Sequence, residues 1–152
     1  MTDWIEFTTQ YPVGAGTELD EQHIRQLLAG AKSWDERYRQ LLQLSKQVPS
    51  MPVQWRHPDH EVSGCESRVW LLLYKDGSGR CHFAVDSESR IVKALLITLL
   101  AAINHQPADK IQLIQVASYF DGLGFAQHIT PSRTNGLQAV WKKMSDFCAG
   151  FA

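Results

Sequence analysis

The hairpin that decides this fold is predicted by the stretch RVWLLLYKDGSGRCHFAVD (residues 68–86). Two runs rich in apolar, β-branched and aromatic residues, 68–75 and 80–86, are separated by the turn residues DGSG (76–79), a typical hairpin connection. Side chains alternate between the two faces of a strand, so one face of the second run carries Cys81, Phe83 and Val85. A lone hairpin is only marginally stable in water, so we expect helices to cover it.

The residues just before the hairpin place a cysteine on a loop. We expect a short edge strand at 60–63, followed by a turn at Gly64 and Cys65. Gly64 gives the backbone freedom to turn sharply. Loops that are held by rigid elements are common places for reactive groups. Cys65 is therefore the first candidate for chemistry in this chain.

Apolar residues at helical spacing predict several helices around the sheet. They run over about 20–31, from a capping box at Ser33 and Glu36 to Pro49, from the capping residues 86–89 to Ile103, from Pro107 to about Leu113, over 118–123, and from Thr130 to near Gly150. The predicted fold class is α+β, with a small three-stranded antiparallel sheet packed against several helices. We expect an irregular N-terminal arm at 1–16 and a single domain at 17–152.

Composition narrows the classes of partner. The formal net charge is −1 over 152 residues, so no broad basic field exists to hold nucleic acid or an anionic membrane. The longest apolar run, 94–103, is far shorter than the ~20 residues that span a bilayer. The first basic residue is Arg25, which argues against a signal peptide. Three irregularly spaced cysteines argue against a disulfide framework, and we expect a cytoplasmic protein.

The three cysteines lie in different surroundings. Cys81 shares a strand face with apolar residues and is expected in the core. Cys148 is near the carboxyl end and is interpreted as incidental. Cys65 has polar neighbours, and its residue type alone leaves sulfur chemistry, metal binding or no role open.

Two other kinds of site, a zinc site and a cysteine hydrolase site, have weaker support in the sequence. His57, His60 and Cys65 fall within nine residues, but the chain has no C-x-x-C pair and a structural zinc site usually takes four ligands, so no metal is predicted. A cysteine hydrolase would need a base such as His82 or His128, and the sequence gives no geometry for either. A zinc or cysteine hydrolase domain stays a less favoured alternative.

Four stretches in one order carry a resemblance to a known family. They are WDERYRQL (34–41), SGCESRVW (63–70), DSESRIVKALL (86–96) and QHITPSRTNGL (127–137). Together they resemble the SufE family of sulfur acceptors, and most closely its CsdE branch. The likeness runs from about residue 33 to residue 144 with spacing intact, and 1–16 lie outside it.

The resemblance implies a sulfur carrier without a cofactor of its own, and not an enzyme. Such a protein takes persulfide sulfur from a PLP-dependent cysteine desulfurase (SufS- or CsdA-like), stimulates that desulfurase, and passes the sulfur on. The recipient would be an iron–sulfur cluster scaffold or another sulfur-using pathway. The family fold is similar to that of the IscU scaffold. A non-covalent regulator of a desulfurase is the alternative with the same partner.

The resemblance also implies roles for particular residues. Cys65 would accept the persulfide sulfur. A thiolate is needed for this, and neighbouring charges tune it: Glu66 would disfavour the anion, whereas Arg68 and Arg133 would favour it. The loop and pocket candidates are Ser63, Gly64, Glu66, Arg68 and Arg133, and the partner-docking candidates are Glu88 and Arg90.

Overall fold

The structure of the protein is a computed structural model that describes residues 3–63, 67–125 and 131–150. Within these ranges the helices are α1 (Asp3–Thr9), α2 (Glu21–Ala29), α3 (Trp34–Gln47), α4 (Arg90–Ile103), α5 (Ala108–Gln112), α6 (Val116–Gly122) and α7 (Pro131–Cys148). The strands are β1 (Val69–Lys75), β2 (Arg80–Ser87) and β3 (Gln106–Pro107), all antiparallel to their neighbours. The predicted fold class, a small three-stranded antiparallel sheet packed against several helices, is confirmed.

The predicted hairpin is formed by β1 and β2. Val69 pairs with Ser87 at its open end, and Lys75 pairs with Cys81 beside the turn. The Asp76 carboxylate closes the turn, because it accepts hydrogen bonds from the backbone N–H of Ser78 at 2.9 Å and of Arg80 at 3.1 Å. The open end of the hairpin is therefore the end nearest to Cys65 in the chain.

The third strand does not come from the residues expected to supply it. The segment 60–63 makes a single bridge, between Glu61 and Trp70, rather than a strand. The third strand is β3, which pairs with Arg80 and Cys81 at the turn end of β2. Two residues are too few to show a strand period, so this strand depends on tertiary pairing.

Helix α4 forms the centre of the core. Twelve of its residues are buried, and α2, α3 and β2 all pack against it. The Ser89 hydroxyl caps it by accepting a hydrogen bond from the Val92 N–H at 3.3 Å. Asp86, which the sequence predicts as a further capping residue of this helix, is instead 2% exposed inside the protein.

The N-terminal residues are more ordered than the irregular arm that the sequence predicts. Residues 3–9 form α1, which contacts both β1 and β2. The buried Tyr11 hydroxyl donates to the Val85 carbonyl at 3.0 Å. Gly14 has φ +124°, and a Cβ there would lie 2.6 Å from the Cβ of Asn104, so only glycine fits. The division of the chain at residue 16 stays a prediction.

A chain of hydrogen bonds joins the turn end of the sheet to the N-terminal segment. His82 Nε2 faces the Asp76 carboxylate at 2.9 Å, and His82 Nδ1 faces His105 Nδ1 at 2.8 Å. His105 Nε2 faces the Tyr11 carbonyl at 2.7 Å, so it must carry a proton. A neutral His105 then accepts at Nδ1 from the Nδ1–H of His82. Arg80 donates to the His105 carbonyl at 3.0 Å.

Burial lowers the pKa of His105, and the neighbouring His82 lowers it further. The hydrogen bond from His82 holds the pKa of the Asp76 carboxyl well below its usual range. Both shifts agree with a neutral His105 and an ionised Asp76. The stability that this network contributes therefore decreases as the pH falls.

Each helix in the described part of the chain is too short or too polar to cross a bilayer.

Candidate functional site

The loop that carries Cys65 begins and ends at fixed points. The Val62 N–H donates to the Val69 carbonyl at 2.9 Å, and Glu61 pairs with Trp70 in an antiparallel bridge. Val62 and Val69 are both buried. Six residues, 63–68, connect these two points. Gly64, Cys65 and Glu66, which are three of the predicted site residues, lie outside the described residues.

The segment that leads into this loop is folded onto itself by local hydrogen bonds. Two short 3₁₀ turns occupy 53–55 and 58–60. The His60 ring Nδ1 lies 2.8 Å from the Trp55 carbonyl, and the His57 Nδ1 accepts from the Asp59 N–H at 3.1 Å. Among the residues with described positions, no group of three or more His, Cys, Asp or Glu side chains is placed to hold a metal ion.

Arg68 stands at the C-terminal end of the loop between two carboxylates. Its guanidinium donates to the Glu61 carboxylate at 3.0 Å and lies 3.8 Å from the Glu88 carboxylate. The hydrogen bond to Glu61 raises the pKa of Arg68 above its ordinary value. This charged cluster of Glu61, Arg68 and Glu88 is exposed or half-exposed and carries one net negative charge. The positive charge of Arg68 is thus already matched by described neighbours.

The backbone of Arg68 is also fixed. Its carbonyl accepts from the Ser87 hydroxyl at 2.8 Å and from the Glu88 N–H at 3.2 Å. These bonds join the end of the loop to the end of β2, immediately before α4 begins. Arg90 is exposed at the first position of α4. The structure therefore brings Arg68 and Glu88 together and places Arg90 two residues after Glu88 in the chain.

Trp70, the second residue of β1, is almost fully buried, with 3% of its surface exposed. The guanidinium groups of Arg68 and Arg56 both lie over its ring, at 5.1 and 5.4 Å from the centroid. Such cation–π contacts contribute roughly 0.5–2 kcal/mol each, more where water is excluded. They hold the first residues of β1 against the segment 51–62.

Arg56 in turn binds a buried carboxylate. Asp86, the β2 partner of Trp70, accepts from Arg56 at 2.9 Å and from the Met51 N–H at 2.7 Å. The ammonium group of the buried Lys93 lies 3.7 Å from the same carboxylate and donates to the Val48 carbonyl at 3.0 Å. A buried carboxylate needs such partners, because water does not reach it. This buried ion cluster of Arg56, Asp86 and Lys93 joins the segment 51–62 to β2 and α4.

The remaining predicted residues are placed as follows. Ser63 is exposed at the N-terminal end of the loop. The backbone of Arg133 lies in the first turn of α7, and its side chain is outside the described part. Sequence reasoning missed Glu61, Arg56 and the burial of Asp86. A signal existed for Glu61, because it belongs to the segment 60–63 that the sequence predicts to pair with the sheet. The pairing of Val62 with Val69 brings Glu61 next to Arg68.

The other two cysteines are buried and in contact with each other. Cys81 is 0% exposed, as expected for a core residue, and Cys148 is 5% exposed. Their sulfur atoms lie 3.4 Å apart. Burial raises the pKa of the Cys81 thiol, and it raises the pKa of the Cys148 thiol to about 12. Neither thiol is suited to attack a group on another protein.

Comparisons with known proteins show the family to which this chain belongs. The family model described as SufE, Fe-S metabolism associated domain, matches residues 22–148. The chain is 38% identical over 125 residues to the sulfur acceptor protein CsdE of Escherichia coli (strain K12), covering 82% of this chain and 85% of that protein. The solution structure of a hypothetical protein from Thermus thermophilus superposes with a TM-score of 0.66 at 18% identity, covering 86% of this chain and 93% of that one, which shows the fold alone. Because one family model spans most of the chain and a relative shares well over 30% of its residues, the chain belongs to the SufE family, near CsdE.

Proposed function

We propose that this chain is a sulfur acceptor that takes persulfide sulfur from a PLP-dependent cysteine desulfurase onto Cys65 and stimulates that desulfurase. Membership of the SufE family and the similarity to a sulfur acceptor protein support the general role. The PLP belongs to the partner enzyme. The chain itself acts as an accessory protein that carries a covalent intermediate.

The observation that carries the assignment to Cys65 is the burial of the other two thiols. The chain has three cysteines. Cys81 and Cys148 are buried against each other, and burial raises the pKa of both. A persulfide on a partner protein has to be reached from the surface. Cys65 is the remaining thiol, and it lies in the loop whose two ends, Ser63 and Arg68, are exposed.

The transfer step is a thiolate–persulfide exchange. The Cys65 thiolate attacks the outer sulfur of the desulfurase persulfide, so a bond forms between that sulfur and Cys65 Sγ. The bond between the outer sulfur and the desulfurase cysteine breaks, and that cysteine leaves as a thiolate. No net oxidation occurs, since one persulfide replaces another.

The charged cluster of Glu61, Arg68 and Glu88 has the position expected of a docking surface. It lies at the exposed end of the loop, and Arg90 is close to it in the chain. Charges at the rim of an interface steer association and fix orientation more than they add affinity. We therefore assign Arg68, Glu88 and Arg90 to contacts with the desulfurase, and keep Ser63, Gly64, Glu66 and Arg133 as proposed surroundings of Cys65.

The test is the turnover of cysteine by the desulfurase with and without this chain. Wild-type protein should raise the rate, and Cys65→Ser should return it to the rate of the desulfurase alone while leaving the thermal unfolding curve unchanged. Cys148→Ser is the matched control, and it should stimulate like the wild type. A Cys65→Ser protein that still stimulates but carries no sulfur would show a non-covalent regulator instead.

The family description, Fe-S metabolism associated domain, supports an iron–sulfur cluster scaffold as the recipient, with another sulfur-using pathway as the second choice. The formal net charge of −1 supports protein partners over nucleic acid or an anionic membrane. A cytoplasmic location stays a prediction.

A further inference from the structure

The two buried thiols form a site that the sulfur-acceptor role does not use. Cys148 Sγ lies 3.4 Å from Cys81 Sγ, although the two residues are 67 positions apart in the chain. The separation is a contact distance between two reduced thiols. To form a disulfide the two sulfur atoms must approach to about 2.05 Å.

Both backbones are held in place. Cys81 is paired on one side with Lys75 and on the other with Gln106, and its carbonyl accepts from the His105 N–H at 3.1 Å. The Cys148 carbonyl accepts from the ammonium group of Lys75 at 3.3 Å. Lys75 thus contacts both partners, which keeps the end of α7 beside the turn end of β2.

Phe147, the residue before Cys148, adds to the packing of α7 against the sheet. The Phe147 ring packs edge-on against Phe83, with centroids 6.3 Å apart, and the Lys75 ammonium lies 5.9 Å from the Phe147 centroid. The sulfur–sulfur contact is therefore part of a packed interface between α7 and the sheet. It is not a chance approach of two surface side chains.

A route for a small reagent exists at one of the two thiols. Cys148 is the last residue of α7, and Ala149 and Gly150 after it are exposed. Helix ends open locally at a small free-energy cost, so the Cys148 thiol meets solvent whenever the last turn opens. The raised pKa of both thiols keeps the reaction slow at neutral pH.

We propose that Cys81 and Cys148 are a redox-sensitive modification site, which closes to an intramolecular disulfide when it meets a low-molecular-weight disulfide. The Cys148 thiolate attacks the reagent, forms a mixed disulfide and releases one thiolate. The Cys81 thiolate then attacks Cys148 Sγ and displaces the second thiolate. Two protein thiols are oxidised, one reagent disulfide is reduced to two thiols, and the protons pass to solvent or to the released thiolates.

The closed bond would join the end of α7 to β2 across a long stretch of chain. A cross-link between residues far apart restricts the unfolded chain strongly. For a domain of this size we expect the Tm to rise by roughly 5–10 °C on oxidation. The oxidation rate should rise with pH, because the attacking group is a thiolate.

The test uses the full chain with Cys65→Ser, in which the buried pair holds the only two thiols, treated with oxidised glutathione. The expected result is a mass lower by two hydrogen atoms, a linked peptide pair containing Cys81 and Cys148, the higher Tm, and full reversal by a reductant. Cys148→Ser in the same background should show neither the linked peptides nor the Tm rise.

Glutathione that stays attached, cross-links between chains, or thiols that remain free after prolonged treatment would each overturn the proposal. Peptide mapping of the wild-type chain gives the same readout without any variant. Because the tested chain lacks the Cys65 thiol, a failure of this test would leave the sulfur-acceptor assignment untouched, and the reverse also holds.

Discussion

Replacing Asp86 with asparagine should destabilise the protein more than any surface change near the loop. The Asp86 carboxylate is 2% exposed and accepts from Arg56 and the Met51 N–H, with the Lys93 ammonium 3.7 Å away. Asp86→Asn leaves the buried Lys93 charge without its counter-ion. It also turns an amide N–H₂ group toward other donors.

The expected magnitude follows from this loss of a buried partner. Breaking a buried ion pair by removing one member costs about 3–5 kcal/mol, because the other charge stays buried. Arg56 is about one-third exposed at its side chain, so water compensates part of its loss. We therefore expect Asp86→Asn to lower the free energy of unfolding by about 3–4 kcal/mol.

The assay is urea unfolding followed by tryptophan fluorescence, with the free energy taken from linear extrapolation. Lys93→Met is the matched variant, since it removes the charge and keeps the apolar stem. The double variant should be more stable than the sum of the two single effects by at least about 1 kcal/mol, because Asp86 and Lys93 interact directly. A loss below about 1 kcal/mol for Asp86→Asn, or strictly additive effects, would refute this reasoning.

The other predictions concern pH, backbone and docking. His105 has a φ of +62°, a conformation that asparagine tolerates. His105→Asn should therefore reduce the loss of stability that the wild type shows below about pH 6.5, measured by urea unfolding at several pH values. Gly14→Ala should lower the free energy of unfolding by about 2 kcal/mol or more, whereas Gly77→Ala, with nothing within 4 Å of its Cβ position, should change it little. Arg90→Glu should weaken binding to the desulfurase by roughly threefold to tenfold in Kd, and Lys110→Glu should not.

The sign of the pH effect follows from the lowered pKa of His105. In the unfolded chain His105 has its ordinary pKa of 6.5 and binds a proton below that pH. In the folded chain the lowered pKa opposes this protonation, so stability that is present above pH 6.5 is lost as the pH falls through the folded pKa. His82, Asp76 and Arg80 belong to the same hydrogen-bonded network, and all three are kept in the variant. Identical pH profiles of stability for the wild type and His105→Asn would contradict the assignment of this pH effect to His105.

Lys110 is a suitable control for the docking prediction because of its place in the fold. It is exposed on α5, which follows β3 at the turn end of the hairpin. Arg90 follows the open end of the hairpin. The seven residues of β1 separate the two ends by roughly 20 Å. Equal weakening by both charge reversals would indicate a general effect of net charge rather than a docking surface.

The elements that could be predicted from the sequence are those whose signal is local. The turn at 76–79, the Ser33 cap and the apolar period of α4 each carry their own pattern over neighbouring residues, and each element is observed. The strand β3 has only two residues, and its existence depends on pairing with residues 25 or more positions earlier. No local pattern can indicate such a strand.

The features that sequence reasoning missed at the site have the same origin. Asp86 has the position of a helix-capping residue because it precedes α4, but its carboxylate turns inward to Arg56 and Lys93. Cys148 has the position of an incidental residue near the carboxyl end, but α7 carries it to Cys81. Long-range packing determines both outcomes. The resemblance of the loop to a family signature, in contrast, resides in consecutive residues and could be recognised from them.

The most direct measurement of the central claim is peptide mass spectrometry of this chain after incubation with a cysteine desulfurase and cysteine. The proposed function predicts that one added sulfur atom is found on the peptide containing Cys65, that a reductant removes it, and that Cys65→Ser carries none. An added sulfur on the peptides of Cys81 or Cys148, or sulfur retained by Cys65→Ser, would contradict it.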